Sequence, residues 1–176
     1  MIIVFTGNGK GKTTAALGQA VRAIGDGKRV LMVQFIKGPW KSGEDFFLEK
    51  FNIPHSAFNI IKTGKGFVGI LGDSLPIEEH KRAAEEGLAL ARGEIESGKW
   101  DIVILDEINN AVSLNLISRE EVLGFIQVLS SKLQALVLTG RDAPQEFIDL
   151  ADLVTEMRDI KHPFEGGVMA KRGIEY

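Results

Sequence analysis

The sequence predicts an α/β fold in which a mostly parallel sheet is flanked by helices on both faces. Three observations carry this. An apolar, β-branched run at residues 2–6 leads straight into a glycine-rich segment, and an alanine-rich helical stretch follows it. Two later runs, 30–35 and 102–105, are apolar at nearly every position, as strands covered on both faces are. Between such runs the apolar residues recur at helical spacing.

The first strand and helix enclose the stretch Thr6-Gly7-Asn8-Gly9-Lys10-Gly11-Lys12-Thr13-Thr14. Glycines let successive backbone N–H groups turn into one concavity, and the following helix adds the positive end of its dipole to the same place. Such a nest binds phosphate. In the P-loop pattern the lysine reaches the outer phosphates and the first hydroxyl ligates a metal ion, roles that fall on Lys12 and Thr13. The standard spacing would put its first glycine where this chain has Thr6, so the loop is a variant.

The first helix is expected to bury Ala16, Leu17, Ala20, Val21 and Ile24 and to end at Gly25-Asp26-Gly27. The strand over 30–35 runs into a loop containing Trp40, at an edge where ligands bind in open α/β sheets. Trp40 is either a ligand wall or a loop aromatic pinned on the core. A short helix over 44–51 and a short strand over 58–61 precede a glycine-rich loop, 62–74, whose one aromatic residue is Phe67. Loops of this length serve as lids or binding loops, or lack order. Phe67 is read as a ligand contact, the alternative being an anchor for the loop.

Ser74 and Pro76 start a long helix with Ile77, Ala84, Leu88, Ala91 and Ile95 on one face, ending at Gly98. His80 stands alone on it, and His55 and His162 lie far off in sequence, so no metal cluster is argued. The run Ile102-Val103-Ile104-Leu105 ends in Asp106-Glu107, the Walker B pattern, expected on a strand beside the P-loop strand. Asp106 is the metal-side acid. Glu107 is left between orienting a water, serving the metal and serving the nucleotide or second substrate.

Ser118 and Glu121 form a capping box for a helix burying Val122, Phe125, Ile126 and Leu129. The strand 135–139 ends in Gly140-Arg141, which puts an arginine at the P-loop edge to bind phosphate or offset leaving-group charge, or else to pair with an acid. Asp142 and Pro144 open a helix to Ala151, and 153–157 is a further strand. Turns and short strands are expected in the tail, 158–176. No repeat or linker interrupts the chain, so residues 1–176 are read as one domain.

Composition bounds the rest. A hydrophobic fraction of 44%, a charged fraction of 26% and a net charge of −3 describe an ordinary globular protein with no pull toward nucleic acid or anionic membrane. There is no cysteine, which excludes disulfides, thiolate metal sites and a cysteine nucleophile. No apolar run reaches the length of a membrane span, and residues 1–6 read as a strand, not a signal peptide, so a cytoplasmic enzyme is expected. The residues alone support a P-loop NTPase fold using Mg²⁺ and a nucleoside triphosphate. Hydrolysis, phosphoryl transfer and use of another electrophilic atom of ATP stay open.

Several segments together are more specific. They are the P-loop variant through Ala16, Val33 to Gly38, Trp40 with Gly43-Glu44, Leu105-Asp106-Glu107, Thr139-Gly140-Arg141, Ala151-Asp152 with Val154 to Met157, Lys161-His162 and Gly173-Ile174-Glu175. In these the chain closely resembles the CobA/BtuR-type ATP:corrinoid adenosyltransferases, nearly end to end. The resemblance implies a RecA-like P-loop fold and transfer of the 5′-deoxyadenosyl group of ATP to cobalt(I) of a reduced corrinoid, cobalamin or cobyrinic acid a,c-diamide, with release of triphosphate. It implies that ATP lies reversed in the loop, contacted by Gly7, Asn8, Gly9, Lys10, Gly11, Lys12, Thr13, Thr14, Trp40 and Glu107. Lys12, Lys10 and the loop amides would stabilise the departing triphosphate, beside the Arg141 placed there by its strand, with Thr13 and Asp106 serving Mg²⁺ or Mn²⁺ and Asn8 contacting the nucleoside. The family's Gly-x-Gly-Phe-x-Trp loop, which displaces the lower ligand of cobalt, corresponds here to 64–69, with Phe67 present and Gly69 where the tryptophan stands. A flavoprotein reductant and a homodimer are also implied. The chain begins at its first strand without the extension some relatives carry, so a more open corrinoid site is expected.

Overall fold

The structure is a computed structural model and describes residues 1–70, 72–162, 167 and 169–174. Strands β1 (Ile2–Thr6), β2 (Val30–Gln34), β3 (Phe58–Lys62), β4 (Ile102–Asp106), β5 (Ala135–Thr139) and β6 (Leu153–Glu156) form one sheet in the order β3-β2-β4-β5-β1-β6. Every neighbouring pair is parallel. The carboxyl ends of all these strands therefore lie along one edge. Helices α1 (Lys12–Gly25), α2 (Gly43–Lys50), α3 (Ile77–Glu96), α4 (Ile108–Ser113), α5 (Arg119–Leu129) and α6 (Gln145–Leu150) fill the crossovers.

β5 lies between β1 and β4, so the strand ending in Asp106 is one strand removed from the P-loop strand, not beside it as the sequence suggests. Neighbours cannot be told apart by pattern here, because β2, β4 and β5 are buried at every position. Their side chains still alternate between two cores. Leu31, Val33, Val103, Leu105, Leu136 and Leu138 face the side covered by α3 and α5. Val30, Met32, Ile102, Ile104, Ala135 and Val137 face α1, which meets them with Ala16, Ala20 and Ala23. A helix face of alanines lets the backbone come close to the sheet, which brings the α1 N-terminus to the strand ends. Val21, expected on that face, is 53% exposed, and Ile77 at the start of α3 is 41% exposed. Both sit at the margin of their stripe, where a one-position rotation decides burial.

The α5 helix buries Val122, Phe125, Ile126 and Leu129 as its spacing predicts, and the Ser118 Oγ accepts from Glu121 N at its start. Helix α2 is capped by Ser42 and Asp45, a pair whose role shows only in the structure. Helix α4 was likewise not anticipated, being too short to show a period. In the tail the described residues after Glu156 contain no strand, while 163–166, 168 and 175–176, with Glu175 of the resemblance, lie outside the described residues. Among the described residues no helix is long and apolar enough to cross a membrane.

Phe125 is fully buried on α5, with the Arg92 guanidinium 5.5 Å from its ring centre. Phe125→Ala is expected to lower the free energy of unfolding by about 3–5 kcal/mol, measured as a shift in the urea midpoint at constant slope.

Candidate active site

The glycines of the P-loop are there for space and backbone sign. Gly7 has φ +96° and Gly11 φ +116°, and a Cβ on Gly7 would stand 2.4 Å from the Met157 carbonyl oxygen. Gly9 N donates to that same oxygen at 2.7 Å, so the loop lies against the chain leaving β6. Lys12 curls back into the loop, where its ammonium donates to the carbonyls of Gly7 (2.8 Å) and Gly9 (2.7 Å). Burial pushes its pKa down, opposed by the nearby Glu107. Lys10 Nζ donates to Ile174 O at 2.6 Å, which lays the tail across the loop mouth. A cleft of about 420 Å³ results, lined by Lys10, Lys12, Thr13, Thr14, Lys37 and Glu107 among others.

Asp106 is fully buried at the floor. Its Oδ1 accepts from Thr13 Oγ1 (2.9 Å) and Thr139 Oγ1 (2.7 Å), and its Oδ2 from Gln34 Nε2 (3.1 Å). Burial pushes this carboxyl up, and Lys37 and the three donors pull it back. Gln34 Nε2 also donates to Glu44, which is ion-paired with Lys37. Burial alone would raise the Glu44 carboxyl, but Lys37 holds it at about 2. Glu107 adopts a left-handed backbone at φ 65°, its N–H donating to Thr139 Oγ1 at 2.9 Å. Its Oε2 is buried without a hydrogen-bond partner, and burial together with the Asp106 charge raises it to about 7.

On the other side of the loop a second cavity of about 220 Å³ is lined by Asn8, Gly9, Lys10, Lys12, Glu107, Arg141 and His162. Arg141 thus joins the P-loop as its position after β5 suggests, its backbone held by N–H donation to Asn110 Oδ1. Trp40 and Phe67 stand apart from the residues lining these two cavities. They pair with each other, ring centres 6.4 Å apart, at 52% and 49% exposure, beyond the ends of β2 and β3. Lys62 Nζ donates to Trp40 O at 2.7 Å and fixes that turn. Gln34, Lys37, Glu44, Thr139 and His162 belong to the site but were not chosen from the sequence. All five lie in segments that carry the family resemblance, but no chemistry was read from the side chains themselves.

A parallel sheet with a phosphate cradle after its first strand and a buried aspartate closing a strand two places away defines a P-loop NTPase fold of the RecA-like kind. The crystal structure of flagellar accessory protein FlaH from Methanocaldococcus jannaschii is similar in fold alone, with a TM-score of 0.56, 12% identity, and 88% of this chain and 69% of that one covered. In sequence, residues 1–176 match the family described as ATP:corrinoid adenosyltransferase BtuR/CobO/CobP. Corrinoid adenosyltransferase of Escherichia coli K12 is 41% identical over 179 residues, covering 100% of this chain and 85% of the relative. Corrinoid adenosyltransferase CobA of Salmonella typhimurium LT2 is 40% identical over 182 residues with the same coverage, and that of Pseudomonas aeruginosa is 35% identical over 176, covering 100% and 83%. The chain belongs to the ATP:corrinoid adenosyltransferase family.

The Glu44 pair sets a pH test. Its folded pKa lies below the ordinary value, so its stabilising contribution is full above about pH 4.5 and is lost as pH falls toward 2. Glu44→Gln should therefore be less stable than the parent at pH 6, with the gap narrowing toward pH 2.5 in urea titrations of the nucleotide-free protein.

Proposed function

We propose that this chain transfers the 5′-deoxyadenosyl group of ATP to the cobalt(I) of a reduced corrinoid. The family match over the full chain carries the reading. The cobalt–carbon bond forms with the cobalt electron pair as the C5′–oxygen bond breaks, and the bonding pair leaves on triphosphate. The nucleophile carries no proton to be removed, so the side chains need only position and stabilise charge. Lys12 exchanges its two loop carbonyls for phosphate oxygens, with Lys10 and the backbone N–H groups of Gly11, Thr13 and Thr14 around them, while the Gly9 N–H holds the loop to Met157. Arg141 offsets the growing negative charge from the side of Asn8, which contacts the nucleoside.

The oxygen donors at the floor fit a hard cation. Thr13 and Asp106 would hold Mg²⁺ or Mn²⁺, and the unpartnered Glu107 oxygen points to a third donor there. Such an ion would neutralise phosphate charge. Phe67 presents ring surface for the corrinoid, and Trp40, expected from the sequence to contact ATP, is read as a corrinoid contact instead because it pairs with Phe67 away from the residues lining the two P-loop cavities. Cobalamin and cobyrinic acid a,c-diamide are both candidate substrates. The reading includes a single domain over 1–176, a flavoprotein that delivers the electron, a homodimer, and action in the cytoplasm.

The deciding experiment is product analysis under reducing conditions. Triphosphate formed only when ATP and a cobalt(I) corrinoid are both present supports the reading, whereas ADP and phosphate released without corrinoid overturns it. Lys12→Ala should lower kcat by about 10²–10³-fold, as loss of a leaving-charge donor does. Phe67→Ala is expected to slow turnover of cobalamin more than that of a corrinoid lacking a lower ligand, compared by steady-state rates on the two substrates.

A further inference from the structure

The loop that carries Phe67 contains glycines at 64, 66, 69 and 72, three of them at positive φ, and would sample many conformations if left untied. It is tied at two places. At its start, Thr63 N and Gly64 N donate to Gln34 O (3.0 and 3.2 Å) and Gly66 N donates to Ile36 O (3.0 Å). A Cβ on Gly64 would stand 2.4 Å from the Ile36 carbonyl carbon, so this end lies flat on the chain leaving β2.

The second tie is a carboxylate. Asp73 Oδ2 accepts from Gly69 N at 2.8 Å, Oδ1 accepts from Leu75 N at 3.1 Å, and Asp73 N donates to Ile70 O at 3.1 Å. His80 Nε2, on the first turns of α3, lies 3.1 Å from Oδ2 and 3.3 Å from Oδ1. The two side chains are 3% and 8% exposed, so the pair is out of solvent although the loop is on the surface. His80 is thus not solitary on its helix, as its sequence position suggests, but roots Asp73 in the core face of α3. The Gly69 and Leu75 amides, then His80, hold the Asp73 carboxyl below its usual range.

Phe67 sits between the two ties, three residues after Gly64 and two before Gly69, with its ring against Trp40. We infer that Asp73, seated by His80, is the positioning residue that presents Phe67 beside Trp40 to the corrinoid. The inference rests on the corrinoid role proposed above for these two rings. It makes Asp73 a determinant of corrinoid use and not of ATP use, since the tie touches no residue of the P-loop cleft.

The test compares Asp73→Ala, Asp73→Asn, His80→Ala and Phe67→Ala in the full chain. Asp73→Ala and His80→Ala should each lower kcat/KM for reduced corrinoid by about tenfold, with KM for ATP within about twofold of the parent. Asp73→Asn keeps an oxygen for Gly69 N–H and should restore most of the loss. In a Trp100→Phe background, which leaves Trp40 as the one indole, Asp73→Ala should shift the Trp40 emission and Asp73→Asn should not. Equal losses toward ATP and corrinoid, or unchanged corrinoid kinetics in Asp73→Ala while Phe67→Ala is impaired, would overturn the positioning role. If Phe67→Ala itself leaves corrinoid kinetics unchanged, the assignment of Phe67 fails and this inference with it. Loss of corrinoid-dependent triphosphate release from the parent enzyme would instead remove the proposed reaction.

Discussion

The site depends on one buried carboxyl. Asp106 is completely shielded from water, and a carboxylate there is tolerable only with its oxygens occupied. Its donors come from three separate elements, Thr13 at the start of α1, Gln34 at the end of β2 and Thr139 at the end of β5. Satisfying one side chain therefore aligns the P-loop helix with two strands on either side of β4. The position of β5 between β1 and β4 is what makes this geometry available, because it brings the Thr139 hydroxyl between the loop and the acid. The same hydroxyl accepts the Glu107 N–H, and the chain turns there through a left-handed residue into α4. Strain of that kind is held only where the surroundings determine it.

From that floor the charges spread outward in pairs. Gln34 passes from Asp106 to Glu44, and Glu44 holds Lys37 over the cleft. Glu107 is the acid left over. It is close to Lys12 and Arg141, yet burial and Asp106 outweigh those cations and bring it to about 7.

The fold was legible in the sequence wherever a pattern had length. The P-loop stretch, the fully apolar β2 and β4 runs and the α5 stripe all lie where their residues put them, since each is repeated evidence for one periodicity. Sheet order was not, because strands apolar on both faces carry no mark of which strand lies beside them. The marginal residues Val21 and Ile77 were misassigned for a related reason, a stripe having soft edges. Within the site, Lys12, Thr13 and Asp106 were legible because motif spacing singles them out, and Arg141 because it follows the strand over 135–139 directly. Gln34, Thr139 and Lys37 lie in segments that mark the family, but their contacts with Asp106 and Glu44 follow only from the sheet bringing the strand ends together. Asp73 and His80 were the least legible, being seven residues apart across a loop whose path no local rule determines.

The state of Lys12 bears on how the cleft distinguishes its ligand. Two of the three Lys12 ammonium N–H groups donate to the Gly7 and Gly9 carbonyls, so a bound phosphate would add one hydrogen bond and exchange for the others. The larger part of the gain comes from charge, which acts most strongly where water is excluded, as it is around a lysine only 7% exposed. The gain grows with the negative charge placed on the oxygens. It is larger for a departing triphosphate than for the same phosphates still esterified to C5′, which is the differential that accelerates bond breaking instead of merely tightening the ground state. The setting of Lys12 is consistent with the leaving-group role proposed for it, which asks nothing of a general base.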